Sequence, residues 1–209
     1  MMFSQLRNNF RSLALLVFAI GLGPDAAGAA TISNGGFETG DLTGWTLTNA
    51  STFDTVCAAG STLGSSTCIA NSGTFAMGFG QFGALATLSQ TIATTPGSTY
   101  AISFYLANDN PGGDPDESFA MQWNGSTVFT LPSPQASFPY SQRLIVNLTA
   151  TAASTVLAFS AQHDPAQWFL DDVTIADAPV PEPTSILLVG FGLAAIIGAA
   201  RRSTGPAVD

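Results

Sequence analysis

Lysine is absent from this 209-residue chain, histidine occurs once, and five arginines face fourteen Asp and Glu residues. Arg7, Arg11, Arg201 and Arg202 sit near the two ends. Residues 31–178 therefore hold Arg143 alone against Glu38, Asp41, Asp54, Asp109, Asp114, Asp116, Glu117, Asp164, Asp171, Asp172 and Asp177. A surface of that sign repels phosphate backbones, which excludes nucleic-acid partners. It suits solubility through net charge, and it suits cations, calcium above all outside a cell.

The groups that usually carry catalysis are scarce too. A Ser-His-Asp arrangement would depend on His163 alone, no G-x-S-x-G elbow occurs, and ordinary zinc ligands are missing. Beside Asp164-Pro165, His163 reads as a surface-loop residue, and the chain is expected not to be an enzyme. Gly78-Phe79-Gly80-Gln81-Phe82-Gly83 satisfies G-x-G-x-x-G. The residues after it alternate like a strand, whereas a dinucleotide site needs a helix to begin there. Asn108 to Glu117 resembles an EF-hand loop only superficially, because its prolines and the place of Glu117 do not fit; it reads as a solvated loop.

Cys57 and Cys68 are the only cysteines, and they flank the Gly/Ser/Thr-rich stretch AAGSTLGSST. In an exported chain an even count predicts a disulfide between them. Export is what the first residues predict. Arg7 and Arg11 form a basic region, Ser12 to Gly23 an apolar run, and Ala27-Gly28-Ala29 a small-residue cleavage site. Residues 1–29 are thus expected to be a signal peptide, with a mature start near Thr31.

A second apolar run spans Thr184 to Ala200 and is followed at once by Arg201-Arg202. Seventeen residues at helical rise reach roughly 25 Å, enough to cross a bilayer at its thin end. The arginine pair would hold residues 201–209 on the cytoplasmic side and leave the domain outside. Residues 177–183 form a connector in which Pro179, Pro181 and Pro183 lack backbone donors and keep the chain extended. Pro181-Glu182-Pro183, an apolar helix and Arg201-Arg202, in that order, resemble the PEP-CTERM sorting signal of bacteria that carry exosortase. The resemblance implies cutting near Pro181–Pro183 by an exosortase-like membrane protease. The protein would be anchored in the inner membrane first, then passed to the envelope or the extracellular matrix.

Between the ends, residues 31–176 keep no helical periodicity for three turns. Apolar, β-branched and aromatic runs recur instead between Gly, Pro, Asn and Asp. Strands are predicted near Trp45–Asn49, Thr74–Phe79, Ala84–Ala93, Thr99–Ala107, Ser118–Trp123, Ser126–Leu131, Gln142–Leu148, Thr155–Gln162 and Trp168–Ile175. The fold class is therefore all-β, an antiparallel sandwich of jelly-roll type. In the last strand, alternation places Asp171 with Phe169, Val173 and Ile175 and sends Asp172 to the opposite face. A carboxylate on a core face needs a cation or several donors, so bound calcium and loop amides both stand as partners for Asp171.

Ile32-Ser33-Asn34-Gly35-Gly36-Phe37-Glu38 with Gly44-Trp45, the stretch Tyr105-Leu106-Ala107-Asn108-Asp109, and Phe169-Leu170-Asp171-Asp172-Val173-Thr174-Ile175 resemble the galactose-binding-like jelly rolls of carbohydrate-binding modules. That resemblance implies a structural calcium joining Glu38 to Asp171. Of the three tryptophans, Trp123 beside the Asn124-Gly125 turn is expected to be the exposed one and a carbohydrate contact. The chain is expected to be a non-catalytic envelope or matrix protein, with a polysaccharide-binding module as the alternative.

Overall fold

The computed structural model describes residues 29–110 and 116–178. The signal segment to residue 28, Pro181-Glu182-Pro183, the run Thr184 to Ala200 and Arg201-Arg202 lie outside the described residues. Among the described residues there are twelve strands: β1 Thr46–Thr48, β2 Thr55–Ala58, β3 Thr62–Leu63, β4 Ser66–Thr67, β5 Phe75–Phe79 and β6 Ala86–Ala93; then β7 Thr99–Asn108, β8 Ser118–Trp123, β9 Ser126–Leu131, β10 Phe138–Thr149, β11 Ser154–Gln162 and β12 Trp168–Asp177. All nine expected strands form. No helix follows the Gly78–Gly83 run, since β5 stops at Phe79 and β6 begins at Ala86.

Pairing is antiparallel throughout, in two five-stranded sheets ordered β1-β6-β11-β8-β9 and β10-β7-β12-β5-β2, with β3-β4 as a small hairpin. From β5 onward the chain passes from sheet to sheet at every connection except the β8–β9 hairpin, as a sandwich of two interleaved sheets requires. Alternation fixes what lies between them. In β7, Tyr100, Ile102, Phe104 and Leu106 are buried while Ala101, Ser103 and Tyr105 are half-buried on the outer side. The Phe104 ring sits 5.2 Å from Phe159, 5.8 Å from Phe129 and 6.0 Å from Phe119. Such aromatic pairs add to the burial of their area, so this cluster is the centre of the core.

The three tryptophans all lie in that core. Each indole N–H donates to a backbone carbonyl: Trp45 to Asn34, Trp123 to Thr149 and Trp168 to Gln162. This corrects the expectation for Trp123, which is 5 % exposed and packs on Tyr100 at 5.9 Å. The turn beside it is exposed; the ring itself points inward, because the buried Met121 and Phe119 share its face of β8.

A second correction concerns β12. Its pairing with β7 shifts register between Asp171 and Thr174, and Asp172 has φ +50°. This bulge changes the parity of the strand. Trp168, Leu170 and Val173 enter the main core, with Ile175 packed against it, while Phe169 joins a smaller cluster on the outer side. There Cys57, Leu63, Cys68 and Ala107 are its buried neighbours, and Tyr140 packs against them. The Cys57–Cys68 disulfide forms, with Cα atoms 6.1 Å apart. It ties down a lid made of β2, β3 and β4.

The sandwich has two ends. β12 pairs with β7 from Trp168 opposite Asn108 to Asp177 opposite Tyr100. Past the second of these, the Ala178 N–H still donates to the Thr99 carbonyl, so the folded domain runs slightly beyond its expected end at residue 176.

Candidate functional site

Two places gather functional chemistry. The first surrounds the opening motif. Gly35 has its carbonyl bonded by the Val173 N–H, and a β-carbon there would lie 2.0 Å from the Val173 oxygen, so only glycine admits this contact. The motif is thereby pinned against the β12 bulge. Glu38 accepts from the Thr74 and Phe75 amides. Asp171 Oδ2 accepts from the Asn71 and Ser72 amides, and Oδ1 from the Asp172 amide. Asp172 accepts from Asn71 Nδ2 and Ser72 Oγ.

The bulge therefore brings together two carboxylates that simple alternation would separate. Both hold the same Asn71-Ser72 segment. Burial pushes the Asp171 carboxyl up to about 6; the loop amides oppose this and the Asp172 charge adds to it. Burial, and then the charges of Asp171 and Asp172, also raise the neighbouring Tyr140 phenol above its usual value.

Calcium can be tested against these donors. A β-carbon on Gly36 would lie 3.4 Å from Asp172 Oδ1 and 3.8 Å from Asp171 Oδ1, so two carboxylates flank a bare backbone position. Glu38 comes near it only through Cγ and turns its carboxylate to the Thr74 and Phe75 amides. Arg143 does not answer that charge, being engaged over the Phe138 ring at 5.4 Å. The sign of the charge fits a hard cation. The shell is partly committed to N–H donors, and among the described residues no group of three or more His, Cys, Asp or Glu is arranged as a cage.

The second place is a cleft of about 470 Å³ at the end of the sandwich where β12 begins. Phe53 and Phe82 flank it, 44 % and 72 % exposed, and His163, Asp164, Pro165 and Gln167 line it further in. The loop bearing Phe53 is braced by Asp54, which accepts from Ser51 N, Ser51 Oγ and Gly80 N. Gln167 is buried against Gly80, where a β-carbon would come within 2.1 Å of its Nε2. Its Oε1 has no hydrogen-bond partner among the described residues, nor has Gln81 Oε1. An unpaired buried acceptor is costly, and both oxygens are closed off from the cleft surface.

His163 and Glu117, read as surface groups in the sequence, are both buried here. His163 Nε2 stands 3.2 Å from Glu117 Oε2 and 2.9 Å from Asn108 Oδ1, and Asn108 Nδ2 donates to Glu117. The reversal has a simple cause: the polar partner of each is supplied by a segment distant in sequence. Phe53 and Phe82 gave a faint signal that sequence reading passed over. Each is an aromatic in a turn or glycine-rich loop with no alternating neighbours to claim it for a strand.

Residues 179–202 match the PEP-CTERM protein-sorting motif. No curated protein matches the sequence. Among solved structures, TmCBM61 in complex with β-1,4-galactotriose is 18 % identical, covers 70 % of this chain and 97 % of its own, and superposes with a TM-score of 0.53. The K3 cleaved adhesin domain of Lys-gingipain from Porphyromonas gingivalis W83 is 14 % identical, covers 72 % of this chain and 100 % of its own, with a TM-score of 0.55. These likenesses establish the fold. The chain carries a PEP-CTERM sorting motif directly after an antiparallel sandwich shared with carbohydrate-binding modules.

Proposed function

We propose that this protein is an exported, non-catalytic component of the cell envelope or extracellular matrix, delivered by exosortase-type processing at Pro181-Glu182-Pro183. The sorting motif at residues 179–202 is the single observation that carries this reading. The signal-type first 29 residues, the span-length run from Thr184 and the Arg201-Arg202 pair support it. The test is mass spectrometry of both termini after expression with and without an exosortase. The expected mature protein starts near Thr31 and ends near Pro181–Pro183 only when the protease is present. An intact chain in the cytosol overturns the reading.

A second reading concerns the sandwich, and the cleft favours it. Two aromatic faces suit the C–H face of a sugar ring, and the half-buried Asp164 in the lining can accept from its hydroxyl donors. The acidic surface favours a neutral polysaccharide over an anionic one. TmCBM61, which shares the fold, was solved with a galactotriose. On a glycan array, Phe82→Ala should abolish binding while the melting temperature holds; unaltered binding would remove the cleft from consideration.

Calcium between Glu38 and Asp171 belongs to the same proposal, supported by the Asp171 and Asp172 carboxylates beside Gly36. Calorimetric titration tests it, with a rise in melting temperature as the expected result. Absence of heat and of any such rise would leave the loop amides as the full account of these carboxylates.

A further inference from the structure

The described domain stops within five residues of the expected span. Ala178 is hydrogen-bonded to Thr99, and Thr184 opens the apolar run. Five residues reach at most about 18 Å even when fully extended. Whatever surrounds Ala178 must therefore lie close to the bilayer whenever the tail is embedded.

The surroundings of Ala178 are well defined. Gly97 N donates to Ala150 O, Ala150 N to Ser98 O, Thr94 N to Ala153 O and Asn124 N to Val156 O. Asn124 Nδ2 also reaches Thr151 Oγ1. These bonds gather three turns at one end of the sandwich: Thr94–Ser98, Asn124–Ser126 and Thr149–Ser154. None of the three contains a charged residue. Asp177, at the last pair of β12, adjoins them.

The opposite end is acidic. Asp54 and Asp164 stand at the Phe53–Phe82 cleft; beside it Glu117 meets His163, and the Asp109 backbone N–H donates to the Gln167 carbonyl. β12 spans ten residues between the two ends, roughly 30 Å at strand rise, about four Debye lengths at physiological salt. An acidic domain tethered to an anionic leaflet is least repelled with its uncharged end inward and its carboxylates outward.

We infer that the turns Thr94–Ser98, Asn124–Ser126 and Thr149–Ser154 form a phospholipid-facing surface. On it the anchored sandwich stands end-on and holds the Phe53–Phe82 cleft away from the membrane. The inference rests on the tail-anchored reading above. A cleft presented at the outer end meets polymers of the surrounding matrix; one facing inward would meet only lipid headgroups.

The test uses the tail-bearing protein in vesicles containing phosphatidylglycerol and headgroup-spin-labelled lipid. Fluorophores are attached at Ala152→Cys or at Phe82→Cys, two exposed positions at opposite ends. Co-flotation with the vesicles reports anchoring separately from orientation. The expected result is strong quenching at residue 152 and little at residue 82. Adding acid to the inner end through Thr151→Asp with Ala153→Asp should reduce quenching at residue 152, more so at low salt. Equal quenching at both positions, or the reverse order, in protein that floats would overturn the end-on arrangement while leaving the anchor intact. Protein that does not float overturns the anchor, and the arrangement with it.

Discussion

Asp171 shows how one backbone torsion alters the chemistry of a side chain. Two-residue alternation would group it with Val173 and Ile175, yet the positive φ of Asp172 lets Val173 follow Leu170 into the core. Asp171 is left on the outer side, fully buried and held by loop amides. Its carboxyl is raised to about 6 by burial first, so the folded state holds a proton more tightly than the unfolded one. Stability from this group is then greatest below the unfolded value near 4 and falls as pH rises through 6. The melting temperature of the wild type should decline relative to Asp171→Asn between about pH 4 and pH 7. Bound calcium would favour the charged carboxylate and reverse that trend, so repeating the series with calcium and with chelator separates the two partners. Gly35 makes a second prediction at this scale. Its missing β-carbon leaves room for the Val173 carbonyl, so Gly35→Ala should destabilise the domain by about 2 kcal/mol or more in a denaturant titration.

At the scale of elements, the nine strands legible in the sequence are those of five or more residues with apolar alternation, together with β1 behind Trp45. The three that were not legible, β2, β3 and β4, are two to four residues long and rich in Thr and Ser. Their existence depends on partners rather than on local pattern. β2 lies along β5, and Leu63 packs where Gly78 offers no side chain. The lid encloses few apolar groups, so its hold relies on Cys57–Cys68. Closing a loop of eleven residues contributes about 3 kcal/mol by restricting the unfolded chain. Reduction, or Cys57→Ser with Cys68→Ser, should therefore lower unfolding stability by roughly 2–3 kcal/mol. Faster hydrogen exchange should appear at residues 55–72, with β7 and β11 still protected.

For the whole molecule, sorting and folding meet within a few residues. The Asp177–Tyr100 pair and the Ala178–Thr99 bond close the sandwich right beside Pro179. On the processing proposed above, a protease acting at Pro181–Pro183 would work against a folded wall, and fraying of the last β12 residues is the ready way to gain room. A flexible Gly-Ser insertion between Ala178 and Pro179 should accelerate processing in cells carrying an exosortase, as read by the ratio of anchored to released protein over time. An unchanged rate would mean that the folded domain does not limit access. The same insertion should weaken the orientation contrast between residues 152 and 82, because a longer tether frees the sandwich to turn.

The sequence alone determined the sign of the surface charge, the long strands and the sorting motif. Each is written in contiguous residues: apolar runs, proline spacing, basic pairs and two-residue alternation. It also brought Cys57 and Cys68 together, since two cysteines in an exported chain leave one pairing. Tertiary structure decided which aromatics meet solvent, which carboxylates share a loop and which end of the sandwich is free of charge. Trp123 went into the core and Phe82 stayed out; His163 found Glu117, forty-six positions earlier. Those outcomes turn on register, on one bulge and on loops that approach only when two sheets close, and contacts between distant residues leave no mark in local pattern.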